Sequence, residues 1–209
     1  MNRVNENRFQ VERSETCFTF MVLYKMLHLS KIMNMFETHP HQILKYCPKC
    51  GSKLFVPQKD NSFTCHSCGF RYYYNAASAV AAIIIDDQGN LLLTKRGIEP
   101  KKGTFDLPGG FVSEDESSEE AVVREVREEL GVDLLEIKYV KSYANRYEYS
   151  GMTVFTNDAC FICKIAPDAQ LKANDDVADF HWVNPQAFDL TKIGLDSIRR
   201  MVADFVASL

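Results

Sequence analysis

Residues 110 to 132 read Gly110-Phe-Val-Ser-Glu-Asp-Glu116-Ser-Ser-Glu-Glu-Ala-Val-Val-Arg124-Glu125-Val126-Arg-Glu128-Glu129-Leu-Gly131-Val132, and no other stretch limits the fold so tightly. From Glu114 to Glu129 eight acidic side chains stand against two basic ones, while Ala121, Val122, Val126 and Leu130 recur at intervals of one, four and four. That spacing puts the apolar residues on one stripe of an α-helix and leaves an acidic face opposite. Ser113, Asp115 and Ser117 are candidate caps at its start, and Gly131 is its stop. Side chains three and four apart stack over one another on a helix, so Glu125, Glu128 and Glu129 are expected to present three carboxylates to a single point. Like charges that close destabilise a bare helix. A hard cation such as Mg²⁺ removes the penalty, since it is held by a few carboxylates and otherwise by water and substrate phosphates.

A second constraint comes from cysteine. The chain has seven, and four of them fall as Cys47-Pro-Lys-Cys50 and Cys65-His-Ser-Cys68, separated by 14 residues. Paired C-x-x-C knuckles at this separation place four thiolates around one tetrahedral Zn²⁺. Gly51 and Gly69 follow the knuckles at the same offset, where a tight turn needs positive φ. Four protein ligands leave no open position, so this zinc would fold a small ribbon over residues 42–74 and would not catalyse. His66, inside the second knuckle, reads as a surface residue. Cys160-Phe-Ile-Cys163 lacks a partner pair and sits in a run that reads as a buried strand, where cysteine behaves as a small apolar residue.

The 209 residues are long enough for one full domain over 75–209 plus that ribbon, with residues 1–41 as an N-terminal extension of uncertain status. Ser78–Asp86 and Leu91–Arg96 read as strands joined by the Asp87-Gln-Gly-Asn90 turn into a hairpin; further strands are expected at 135–149, 152–165 and 180–183, and a closing helix at 196–208. A net charge of −4 gives no overall attraction to nucleic acid, and the basic residues of the ribbon, Lys45, Lys49, Lys53, Lys59 and Arg71, are too dispersed for a nucleic-acid footprint. No apolar run reaches the ~20 residues that span a bilayer. The longest, Cys17–Leu27, is broken by Lys25, follows mixed charge and precedes no small-residue cleavage site, which points to the cytoplasm. Met33 and Met35 lie just ahead of sequence that fits the ribbon, so either translation starts there or the preceding residues pack on the domain or a dimer interface.

With U an aliphatic residue, the acidic segment matches G-x5-E-x7-R-E-U-x-E-E-x-G-U, the signature of the Nudix hydrolases, at all nine specified positions. The chain resembles that family. The resemblance implies an α/β/α sandwich around a mixed sheet and hydrolysis of a phosphoanhydride. It implies that Glu125, Glu128 and Glu129, with the Gly110 carbonyl, hold Mg²⁺ or Mn²⁺, and that Arg124 and Glu116 sit behind them, Arg124 orienting a glutamate by bidentate pairing. The general base in such enzymes lies on the helix, here Glu125 or Glu128, or on a distal loop, where Asp179 stands three residues ahead of Trp182. Asp175 and Asp176 either share that loop role or face solvent.

A zinc ribbon joined to a Nudix domain resembles the NADH pyrophosphatases, as does Leu107-Pro-Gly-Gly-Phe-Val112. Their S-Q-P-W-P-F-P-x-S array is replaced by Ser142-Tyr-Ala-Asn-Arg-Tyr-Glu-Tyr149, which keeps the serine and loses the prolines and tryptophan. Tyr143, Tyr147 and Tyr149 are candidates to stack on a base and Arg146 to meet a phosphate; alternating residues of a half-exposed strand is the competing reading for Tyr147 and Tyr149. Arg96, with Lys95, Lys101 and Lys102, would attract a diphosphate or simply face solvent. The expected activity is Mg²⁺-dependent cleavage of a nucleoside diphosphate linked to another moiety, of ADP-ribose or NADH type. A nucleoside triphosphate pyrophosphatase is the alternative within enzymes, and a ligand-sensing or partner-binding module the alternative outside them. The resemblance implies a homodimer.

Overall fold

The computed structural model describes residues 37–209, so the readings made for Cys17–Leu27, Met33 and Met35 lie outside the described residues. Two compact units emerge, one of residues up to 73 with 151–153, the other of residues 74–150 with 154–209. No helix among the described residues is long and apolar enough to cross a membrane.

The first unit carries the short helix α1 (Pro40–Ile43) and an antiparallel sheet of β1 (Phe55–Pro57), β2 (Ser62–Cys65) and β3 (Arg71–Tyr73). Its core is small, and the Phe55 and Phe63 rings stack at 4.7 Å within it. The two cysteine knuckles have the same local geometry: Gly51 N–H donates to the Cys47 carbonyl at 2.8 Å, and Gly69 N–H to that of Cys65 at 2.9 Å. Both glycines have φ near +70°, which a side chain would resist. The four sulfurs lie within 4.8 Å of one another, with Cys47 Sγ 3.8 Å from Cys68 Sγ and Cys50 Sγ 3.7 Å from Cys65 Sγ. His66 is exposed.

The second unit is built from β4 (Ala77–Ile84), β5 (Leu91–Arg96), β6 (Phe105–Asp106), α2 (Ser118–Leu130), β7 (Leu134–Tyr149), most of β8 (Met152–Ile165), β9 (Val177–Val183) and α3 (Asp196–Ala207). One sheet runs β4-β8-β7 and the other β6-β5-β9. β8 lies parallel to β4, with Ala77 opposite Thr156 through to Ile84 opposite Cys163, so the strands are mixed in direction. The period of two sorts the side chains between two cores. Val80, Ala82, Ile84, Leu92, Ala159, Phe161 and Cys163 pack against Ala121, Val122, Val126 and Leu130 of α2, while Ala81, Ile83, Leu91, Leu93 and Cys160 pack against Ile198, Met201 and Val202 of α3. Each fully buried aliphatic side chain contributes about 1.5–3 kcal/mol. Cys160 and Cys163 therefore point to opposite cores, and burial pushes their thiols up to about 11 and about 12, as expected of apolar fillers.

The helix start resolves to Ser117, which accepts from Glu120 N–H while Glu120 reaches back to the Ser117 N–H, and Gly131 closes the helix at φ +70°. One expected pairing is corrected. β4 and β5 are joined by the Asp86–Asn90 turn and share both cores but pair only through the Ile85–Leu91 bridge; β4 pairs along its length with β8, and β5 with β9 and β6. A turn signal fixes chain reversal, whereas strand partners are chosen by the buried faces both cores require.

Candidate active site

Residues 108–112 run beside β4 as a further extended segment. Ala82 N–H donates to the Pro108 carbonyl at 2.8 Å, Val80 N–H to that of Gly110 at 2.9 Å, and Val112 N–H to that of Ser78 at 3.0 Å. The approach is too close for side chains: a Cβ on Gly109 would fall 2.1 Å from the Val80 carbonyl oxygen, and one on Gly110 would fall 2.5 Å from Glu125 Oε1. The two glycines thus let the C-terminal half of α2 lean against this segment, and Glu129 Oε2 accepts the Gly109 N–H at 3.1 Å. With one acceptance from Val80, the Gly110 carbonyl keeps its second lone pair.

Arg124 organises the acidic face. Its Nε lies 3.0 and 3.2 Å from the two Glu116 oxygens, Nη1 donates to Glu125 at 2.9 Å and Glu128 at 2.8 Å, and Nη2 donates to the Phe111 carbonyl at 2.9 Å. Arg124 thus binds three carboxylates and a carbonyl at once, a network better held than an isolated exposed pair such as Arg127–Asp133. The Arg124 hydrogen bonds hold the Glu116 carboxyl down at about 2. The same guanidinium changes one expectation. Glu128 turns toward Arg124, and among the described residues the four cysteines alone form a group of three or more potential ligands within 4.8 Å of one another. The three glutamates therefore share a helix face without meeting at one point.

Glu129 is only 7% exposed. Burial pushes its carboxyl well above the usual range, and Glu125, Asp106 and Asp176 add to the shift by repulsion. Glu125, half-buried, is raised for the same reason, with Arg124 opposing. Asp175 and Asp176 reach this neighbourhood because their loop is fastened to the end of α2: Lys172 N–H donates to the Leu130 carbonyl at 3.0 Å, Asn174 N–H to that of Glu129 at 2.9 Å. Gly97 N–H in turn donates to the Asp176 carbonyl at 2.7 Å.

A cavity of about 320 Å³ opens beside these groups. Its lining includes Gly109, Gly110, Glu129, Asp106, Asp158, Asp176, Arg96, Phe111, Tyr147 and Tyr149. Arg96 is there as expected, although its Nη1 is bound to Asp106 Oδ2 at 2.5 Å and its Nε to the Pro100 carbonyl at 2.7 Å. Tyr143 is corrected: it is 5% exposed in the core under α3, with its hydroxyl 2.9 Å from Asp204 Oδ2. α3 covers the first part of the β7 face, so Tyr143 is packed while Asn145, Tyr147 and Tyr149 further along it reach the cavity. Arg146 lines a different cleft, with Arg199 and Arg200. Asp179 does not line the cavity; it lies 3.2 Å from His181 Nε2 on the exposed side of β9, and Asp176 lines the cavity in its place. Sequence reasoning missed Asp106, Thr156 and Asp158. For Thr156 and Asp158 the available signal was a polar stretch, Thr156-Asn-Asp158, leading into the apolar run Ala159–Cys163.

This acidic helix, glycine segment and two-core sandwich define a Nudix fold, and the chain belongs to that family: residues 76–205 match the NUDIX domain. Among its relatives, the NAD-capped RNA hydrolase NudC of Shigella dysenteriae serotype 1 is 30% identical over 164 residues, 78% of this chain and 60% of that protein. The NudC of Stutzerimonas stutzeri is 31% identical over 111 residues, 53% of this chain and 40% of that protein. The chain thus spans 60% or less of the length of these relatives. A Nudix hydrolase from Nitrosomonas europaea superposes at a TM-score of 0.59 with 22% identity, covering 78% of this chain and 91% of that one, a likeness of fold.

Glu116 sets a pH dependence. Its carboxyl is lower in the folded protein than in an unfolded chain, so its pairing with Arg124 stabilises fully above the ordinary glutamate range of about 4.3 and is lost as pH falls through about 2. Glu116→Gln is expected to lower the urea midpoint by a constant amount above pH 5, with the gap closing toward pH 2; a gap independent of pH would exclude the ion pair.

Proposed function

We propose that this chain hydrolyses the diphosphate of a nucleoside diphosphate linked to another moiety, of NADH or ADP-ribose type, with Mg²⁺ or Mn²⁺. The observation that carries the reading is one cavity gathering the carboxylates of Glu129, Asp106 and Asp176 together with the rings of Tyr147, Tyr149 and Phe111. A nucleotide diphosphate needs both, cations for its phosphates and flat surfaces for its bases. The relatives named as NAD-capped RNA hydrolases support it.

The donor set fits a hard divalent cation. Glu129 is buried, its carboxyl is raised, and the neighbouring charges that act on it most strongly, Glu125, Asp106 and Asp176, are negative. Oxygen ligands from Glu129, Glu125, Glu128 and the free lone pair of the Gly110 carbonyl would hold it. Bound there, the cation would neutralise charge on the phosphoryl oxygens and make water a better nucleophile. Arg124 fixes Glu125 and Glu128 in orientation. Asp176, from the loop fastened to α2, takes the proton of the attacking water in preference to Asp179, with Glu125 or Glu128 as the helix alternative.

Residues 42–74 are the zinc ribbon and 75–209 the Nudix domain in this reading. Cys47, Cys50, Cys65 and Cys68 hold a structural Zn²⁺; their sulfur separations of 3.7 and 3.8 Å match the edge of about 3.8 Å that Zn–S bonds of about 2.3 Å give a tetrahedron.

The test is hydrolysis of NADH, ADP-ribose, an NAD-capped oligoribonucleotide, diadenosine polyphosphates and nucleoside triphosphates with Mg²⁺ or Mn²⁺, products being resolved by chromatography. Two monophosphate products from NADH or ADP-ribose are expected. Pyrophosphate release from triphosphates alone would replace this reading with the triphosphate pyrophosphatase, and silence throughout would leave the binding module. Cys50→Ser is expected to lose the bound zinc, measured by atomic absorption; an unchanged zinc content would reject the tetrathiolate site.

A further inference from the structure

Thr156 and Asp158 are 4% and 5% exposed and line the candidate cavity. Yet Thr156 Oγ1 and Asp158 Oδ1 have no hydrogen-bond partner among the described residues. A buried carboxylate oxygen left unpaired is unfavourable, and a ligand that donates to it recovers the loss. The two residues are two apart on β8 and so share a face. It is the face of Cys160, which packs in the α3 core, so the polar pair begins where the cover of α3 ends and the cavity starts.

Their neighbours leave room for a ligand. Across the register, Thr156 faces Ala77 and Asp158 faces Ala79, small side chains both. Ala79 also bridges to Phe111 on its other side. Two strand spacings of about 4.8 Å put Asp158 roughly 10 Å from the glycine segment. The pair is thus displaced from the Glu129 wall, as a nucleobase is displaced from its own diphosphate. Tyr147 lines the cavity too, and the Asp158 charge acts on its hydroxyl and on Asp106. Arg96 is committed to Asp106, so the free Asp158 oxygen and the Thr156 hydroxyl, which can accept, disfavour a phosphate here and suit a planar group carrying N–H donors.

We propose that Thr156 and Asp158 form a subsite for an amino group of the substrate, either the exocyclic amine of adenine or the amide nitrogen of nicotinamide. An NH₂ offers two donors to the two orphan acceptors, and the ring that bears it lies against Tyr147. The subsite thereby selects amino-bearing dinucleotides. The inference rests on the proposed dinucleotide hydrolysis.

The experiment compares kcat/KM of wild type, Asp158→Asn and Thr156→Val for three substrates: NAD, its analogue with unsubstituted purine in place of adenine, and its analogue with nicotinic acid in place of nicotinamide. Wild type is expected to favour NAD by at least about tenfold over one of the two analogues, which identifies the amino group read. Asp158→Asn is expected to bring that ratio near one, through KM more than kcat. Equal turnover of all three substrates by wild type overturns the subsite even if a variant fails to fold, as does a preference that survives Asp158→Asn unchanged. Turnover of triphosphates with none of dinucleotides would overturn the proposed function itself, and the subsite with it.

Discussion

A carboxylate almost wholly out of water, with three other carboxylates raising its proton affinity, is the constraint around which the second unit is arranged. Glu129 is that group, and a protein does not bury a lone charge without a partner. The Gly109 N–H supplies one hydrogen bond and cannot neutralise it. Arg124 is committed to Glu116, Glu125 and Glu128, and Arg96, which lines the same cavity, to Asp106. The balance is a site short of positive charge beside a cavity, which a divalent cation, as proposed, would correct.

The fold serves that arrangement at each level. α2 buries Val122, Val126 and Leu130 in the core and so turns its glutamates toward β4 and the 108–112 segment. Gly109 and Gly110 remove the side chains that would hold helix and segment apart. The last carbonyls of α2 then anchor the loop that brings Asp176 to the cavity. On the opposite face, α3 stops short of the ends of β7 and β8, and the uncovered residues are Tyr147, Tyr149, Thr156 and Asp158.

What was legible in the sequence was local. The helix up to its stop at Gly131, the two cysteine knuckles and the strands at 135–149 and 152–165 rest on short spacings that side-chain chemistry enforces, while the choice of Ser117 among three candidate caps came from the structure. The β4–β8 pairing joins residues such as Ala77 and Thr156, far apart in the chain, and no short-range pattern encodes it. Tyr143, Tyr147 and Tyr149 share a strand parity, so their sequence cannot show that α3 covers the first and leaves the others at the cavity. That Asp176 and not Asp179 lines the cavity likewise follows from how Lys172 and Asn174 dock on α2. Helical spacing sets where the Cα atoms of Glu125, Glu128 and Glu129 lie, whereas Arg124, which holds both Glu125 and Glu128, sets where those two carboxylates turn.

The central claim is that the buried carboxylate exists to take a divalent cation. Titration of Mn²⁺ into wild type and Glu129→Gln, followed by the loss of the free-ion electron paramagnetic resonance signal, tests it without any substrate. Binding to wild type that weakens at least about tenfold in Glu129→Gln, with the variant folded, is the predicted result. Equal Mn²⁺ binding by the two proteins would contradict the account and remove Glu129 from the metal site.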